Sequence, residues 1–120
     1  MKIVDFFLII ISCILFVLNQ VAIKLWLNNK NVEIWPINID IFKKLFSIEI
    51  YIAFFSFIIA GYLWTILLKK IDFSILYPML SLTYIFSLLA GYCIFKENIS
   101  LTRIFGVIII IIGTVLLSRS

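Results

Sequence analysis

The sequence predicts an all-α integral membrane protein, a dimeric bundle of four transmembrane helices. Three observations predict it. The chain is 65% hydrophobic and 13% charged, with a mean hydropathy of +1.26. A soluble domain is about 45–50% apolar and about 25% charged, so the excess apolar surface here needs lipid to cover it. Four apolar runs, at 6–23, 50–68, 73–95 and 99–118, each match the ~17–25 residues needed to cross a hydrocarbon core. Finally, the last two connections are tight, at 69–72 and 96–98. Short connections force neighbouring helices antiparallel. The expected layout is a single membrane domain over 1–120. Its helices lie at about 4–25, 48–68, 73–95 and 100–118, with a loop and interfacial stretch over 26–47.

The first run begins like a secretory signal, with Lys2 before apolar residues. Asp5 interrupts it, the run outlasts the usual ~7–15 residues, and no small-residue cleavage site follows. It is read as a mature helix. Polar groups at membrane depth point to function, and this helix carries Asn19, Gln20 and Lys24. Gln20 and Lys24 are four apart and stack on one face, which Phe16 and Cys13 extend. Two readings stand side by side. Asn19 and Gln20 bond between helices while Lys24 snorkels to the interface, or Lys24 pairs with an anionic head group that Gln20 orients.

The stretch 26–47 mixes charges with apolar residues. Asn28, Asn29, Asn31 and Pro36 make its first half a loop, and 40–46 suits a short interfacial helix with Ile41, Phe42, Leu45 and Phe46 towards lipid. Trp26 and Trp35 suit the aromatic belt at the membrane surface. The second helix has a line of small residues, Ala53, Ser56 and Ala60, leading to Trp64. That line is a packing face or a cavity wall.

The third helix holds Ser74, Tyr77, Ser81 and Tyr84 at spacings that form one polar stripe. Pro78 within it frees a backbone carbonyl, which a neighbour or a cavity must satisfy. A kink beside a polar stripe predicts a lined cavity; a packed kink is the alternative. Ser100 is the expected N-cap of the fourth helix, with Arg103 snorkelling near its start. Gly106 and Gly113 are seven apart on one face, a surface for close approach by a second copy or by another helix of the same chain.

The charge pattern narrows the function. The net charge is +4, but the basic residues sit at segment ends, which indicates membrane anchoring and not a nucleic-acid partner. Lys2, Lys69, Lys70 and Arg119 on one side face Lys24, Lys30, Lys43, Lys44, Lys96 and Arg103 on the other, four against six, or four against four if Lys24 and Arg103 are counted as intramembrane. The positive-inside rule therefore chooses no orientation. There is no histidine, so the commonest metal ligand and general base is missing. Cys13 and Cys93 lie in apolar runs and read as buried, inert thiols. No enzyme activity, metal or cofactor is implied. None of the apolar runs contains a carboxylate. A proton-coupled exporter of cations generally needs one. The embedded charge is instead the positive Lys24, which favours an anionic group such as a phosphate.

Residues 70–82, with Asp72 and the run Tyr77-Pro78-Met79-Leu80-Ser81-Leu82, resemble the entry into the third helix of the drug/metabolite transporter superfamily. Residues 95–100 resemble its acidic loop before the last helix. Gly106 and Gly113 match the glycine spacing of the dimerising fourth helix in its small multidrug resistance branch. Within the superfamily the chain is most similar to the small subunits of the 4-amino-4-deoxy-L-arabinose-phosphoundecaprenol flippases. Those share the Tyr77–Leu82 run and a glutamine followed four residues later by lysine, as at Gln20 and Lys24. Drug exporters carry a mid-helix glutamate that here falls at Phe16. The resemblance implies a homodimer, or a heterodimer with a related small subunit, in a bacterial-type cytoplasmic (inner) membrane among membrane lipids. Its substrate would be a polyprenyl-phosphate-linked sugar. Lys24 would contact phosphate, and Asn19, Gln20, Trp64, Tyr77, Ser81 and Tyr84 would line the substrate groove. Two other functions remain open: export of cationic or metabolite small molecules, and a non-transporting subunit of a glycolipid-processing complex.

Overall fold

The computed structural model describes residues 3–32 and 39–120. The elements are α1 (Ile3–Asn29), α2 (Ile39–Lys44), α3 (Ile48–Lys70), α4 (Phe73–Met79), a 3-10 turn (Leu80–Leu82), α5 (Thr83–Cys93) and α6 (Leu101–Arg119). Four stretches of the described residues are helical, long and apolar enough to cross a membrane: α1, α3, the α4–α5 pair and α6. The four-helix, all-α expectation therefore holds.

The bounds differ from expectation by one to four residues. The first helix runs on to Asn29 and takes in Trp26. Trp26 is buried, and its indole N–H donates to the Lys44 carbonyl at 2.7 Å. It ties α1 to α2 and does not stand in an exposed belt, because a buried indole N–H must find an acceptor. Trp35, Pro36 and Glu33 lie outside the described residues, as does Lys2. The interfacial helix is present as α2, slightly earlier than expected, with Phe42 exposed. The third span ends at Cys93, not at 95.

The tightest pairing is α1 on α3. Ala53, Ser56 and Ala60 are all buried in it, so the small-residue line is a packing face. Lipid tails supply no hydrophobic drive between helices, and small side chains gain contact by letting backbones close up. The hydroxyls inside this seam are satisfied locally: Ser12 donates to the Leu8 carbonyl at 2.8 Å and Ser56 to that of Ile52 at 2.6 Å. Asn19, also buried, donates across the seam to the Ala53 carbonyl at 2.7 Å. A core of Ile9, Cys13, Leu67, Leu76 and Met79 gathers α1, α3 and α4. Cys13 thus faces this core and does not extend the face of Gln20 and Lys24, whereas Cys93, expected to be buried, is exposed at the end of α5. At that end Lys70 Nζ stands 3.6 Å from Asp5 Oδ1.

Pro78 lies in the last turn of α4, and after Met79 the chain passes through the 3-10 turn before α5 starts. A 3-10 turn advances about 120° per residue against about 100° in an α-helix. The expected straight stripe is therefore broken. Tyr77 is exposed, with its ring 5.1 Å from that of Phe73, while Tyr84 turns to another side. Helix α6 leans on α4 and the 3-10 turn and buries only Thr114 among its residues. Its N-cap is Ser100, as expected, with the side chain accepting from the Arg103 N–H at 3.3 Å.

Candidate functional site

A groove of about 500 Å³ runs between α1 and α5, with the 94–100 turn and the start of α6 completing its wall. That size suits a small-molecule or head-group site. From α1 it receives Phe16, Gln20 and Lys24, whose four-residue spacing holds them on one face. From α5 come Tyr84, Ser87 and Gly91, and beyond it Phe95, Glu97 and Arg103.

Lys24 is the electrostatic centre of the groove. Its Nζ lies 3.0 Å from Glu97 Oε1 and 4.5 Å from the centroid of the Phe95 ring. The cation is therefore shared between a carboxylate and an aromatic face. Neither partner is sealed in: the Lys24 and Glu97 side chains are 50% and 40% exposed. The lysine expected to stand without an acid has one, supplied by a loop and not by a span.

Local backbone makes this possible. Lys96 adopts a positive φ of 54°, which reverses the chain after α5, and the Glu97 N–H donates to the Gly91 carbonyl at 2.9 Å. A Cβ at Gly91 would stand 2.7 Å from Glu97 Oε2. Glycine there leaves room for the carboxylate to lie in the groove. Arg103 adds a second cation, with Nη1 donating to the Asn98 carbonyl at 3.4 Å.

Of the sequence candidates, Gln20, Lys24 and Tyr84 come together in this groove. Gln20 is steadied by donating to Asn19 Oδ1 at 3.0 Å. Asn19 itself faces α3. Trp64 packs edge-on to Phe16, ring centroids 6.1 Å apart, behind the groove and against the core. Tyr77 and Ser81 are not in the groove lining, which on this span begins at Thr83. Pro78 lies inside α4, two residues before the 3-10 turn that breaks the span. Gly106 and Gly113 are exposed on α6, and a Cβ at either would meet nothing within 4 Å. Glu97, Phe95, Ser87 and Gly91 were missed as site residues, and Arg103 was read only as an interfacial anchor. Gly91 six residues before an acidic turn was the available signal. Among the described residues, no three His, Cys, Asp or Glu side chains cluster to hold a metal.

A groove holding a half-exposed ion pair beside apolar spans suits a membrane transport protein, and comparison with known sequences agrees. The EamA-like transporter family matches residues 3–119. The chain belongs to that family, and it is an integral, multi-pass inner-membrane protein. Its curated relatives include three proteins named as probable 4-amino-4-deoxy-L-arabinose-phosphoundecaprenol flippase subunit ArnE. That of Pseudomonas fluorescens strain Pf-5 is 39% identical over 56 residues, covering 47% of this chain and 49% of the relative. That of Enterobacter sp. strain 638 is 46% identical over 58 residues, covering 48% and 54%. That of Klebsiella pneumoniae strain 342 is 41% identical over 58 residues, covering 48% and 52%. The chain thus spans about half the length of the curated relatives it matches. No solved structure matches it significantly.

Proposed function

We propose that this chain is a transporter subunit that translocates a polyprenyl-phosphate-linked sugar, or a similar anionic lipid, across the inner membrane, without covalent catalysis. The observation that carries the reading is Lys24, a half-exposed cation in a groove of about 500 Å³ between two apolar helices. The relatives' name, which describes a flippase subunit for a sugar linked to phosphoundecaprenol, supports the same class of substrate. In this reading the phosphate binds Lys24. Gln20 and Tyr84 bond phosphate or sugar hydroxyls, and the prenyl chain stays in lipid. The polar head is thereby shielded from hydrocarbon, where unpaired charge is costly.

The partner is a second copy or a related small subunit. The open glycine face of α6 at Gly106 and Gly113 supports this assembly, since nothing in the described residues of the chain covers it.

The test is flipping of a fluorescent polyprenyl-phosphate sugar in vesicles that contain the reconstituted protein. Lys24→Ala is expected to lower the rate by about tenfold or more, the usual weight of a charge-assisted contact. Wild-type rates in that variant would exclude Lys24 as the phosphate contact.

One observation favours a second reading, export of a cation, because Glu97 puts a carboxylate in the groove. Uptake of a quaternary ammonium dye driven by a pH gradient, lost in Glu97→Gln, would establish that reading and displace the first.

A further inference from the structure

Glu97 poses a physical problem for a phosphate site. An incoming phosphodiester that binds Lys24 meets a carboxylate already 3.0 Å from the same Nζ. Two anions in a groove walled partly by Phe16, Leu88 and Phe95 repel more strongly than they would in water. Taking Lys24 away from Glu97 also leaves a carboxylate without its counter-ion, which is costly wherever water is scarce. Yet the carboxylate is lodged there by the backbone, through the Gly91 carbonyl and the space that Gly91 leaves open. An ordinary loop glutamate would point into water.

A ligand that carries its own cation removes the conflict. Its phosphate takes Lys24 and its ammonium takes Glu97, so one ion pair is exchanged for two. We propose that Glu97 is a specificity residue that receives a primary ammonium on the sugar, so that the groove selects phosphodiester-linked amino sugars over neutral ones. This rests on the reading of Lys24 as the phosphate contact. Arg103, on the same wall, is the rival partner for a released Glu97. It is engaged with the Asn98 carbonyl, and if it moved to cover Glu97 the groove would bind neutral and amino sugars alike.

The experiment is titration calorimetry on the purified full chain in detergent micelles. The probes are short-chain polyprenyl phosphodiesters of 4-amino-4-deoxy-arabinose, of its N-acetyl derivative and of arabinose. Wild type is expected to bind the amine about tenfold or more tightly than the other two. The N-acetyl arm tests the charge with no mutation, so a variant that fails to fold leaves it intact. Glu97→Gln is expected to lose the preference while binding the arabinose lipid at least as well as wild type, since a repelling charge is gone. Equal binding of all three lipids by wild type overturns the proposal and leaves the phosphate reading standing. A preference that survives in Glu97→Gln also overturns it. Binding of none of the lipids defeats the phosphate reading and this one together.

Discussion

Asn19 and Lys24 are little more than a helical turn apart and do different work. Asn19 spends its amide on the Ala53 carbonyl inside the α1–α3 seam, and Lys24 holds its charge in the groove. Membrane interhelical hydrogen bonds average about 0.6 kcal/mol and reach about 1.7 kcal/mol. Asn19→Ala should therefore lower the melting temperature in detergent measurably, and this can be read by fluorescence-detected thermal unfolding. Its effect on flipping per folded molecule should be smaller than that of Lys24→Ala, because it acts only by loosening Gln20. From sequence the two residues looked alike, as polar groups at depth. Which way each points depends on where α3 lies, and the spacing within α1 does not contain that.

Element by element, legibility follows how local the cause is. The four spans were readable because length and hydropathy alone decide them. Ser100 was readable as a cap because its partner, the Arg103 N–H, is three residues away. The polar stripe failed at Pro78. A periodicity drawn through a proline assumes an unbroken α-helix, and three residues of 3-10 turn rotate everything beyond them. That rotation aims Tyr84 and Ser87 at α1. Pro78→Ala should restore a continuous helix and stabilise the span, since an interior proline costs about 3 kcal/mol in a helix. It should also turn Tyr84 out of register. The expected result is a more heat-resistant protein that binds the lipid head group more weakly, measured by the titration described above. The reach of Glu97 into the groove was not legible. It needs the 94–100 turn folded back on Gly91, a contact set by the left-handed Lys96 and by packing.

Across the whole molecule the seams are unequal. Helices α1 and α3 close tightly, whereas α6 lies against the α4 side and presents Phe105, Ile109 and Leu116 outward. Gly106 and Gly113 lie on α6 with open space beside them. If a second subunit docks there, bulky side chains at these positions should hold it off, while the monomer, which packs nothing against them, should keep its fold. Gly106→Leu with Gly113→Leu is expected to convert a dimer to monomer in analytical ultracentrifugation in detergent, with unchanged helicity by circular dichroism. Retained dimer in the double variant would place the subunit contact elsewhere.

The Lys24–Glu97 pair has one more consequence, through the voltage across an energised membrane. Moving a lone charge through such a field costs or yields about 2.3 kcal/mol per 100 mV. A closed pair 3.0 Å wide is neutral and feels almost none of that field. Any motion that carries α1 and the 94–100 turn together moves both charges at once and does almost no electrical work. A zwitterionic cargo shared between the same two charges keeps that balance. Transport built on this pair should run at nearly the same rate whether or not the membrane is polarised, and a potassium–valinomycin potential across the vesicles is the direct check.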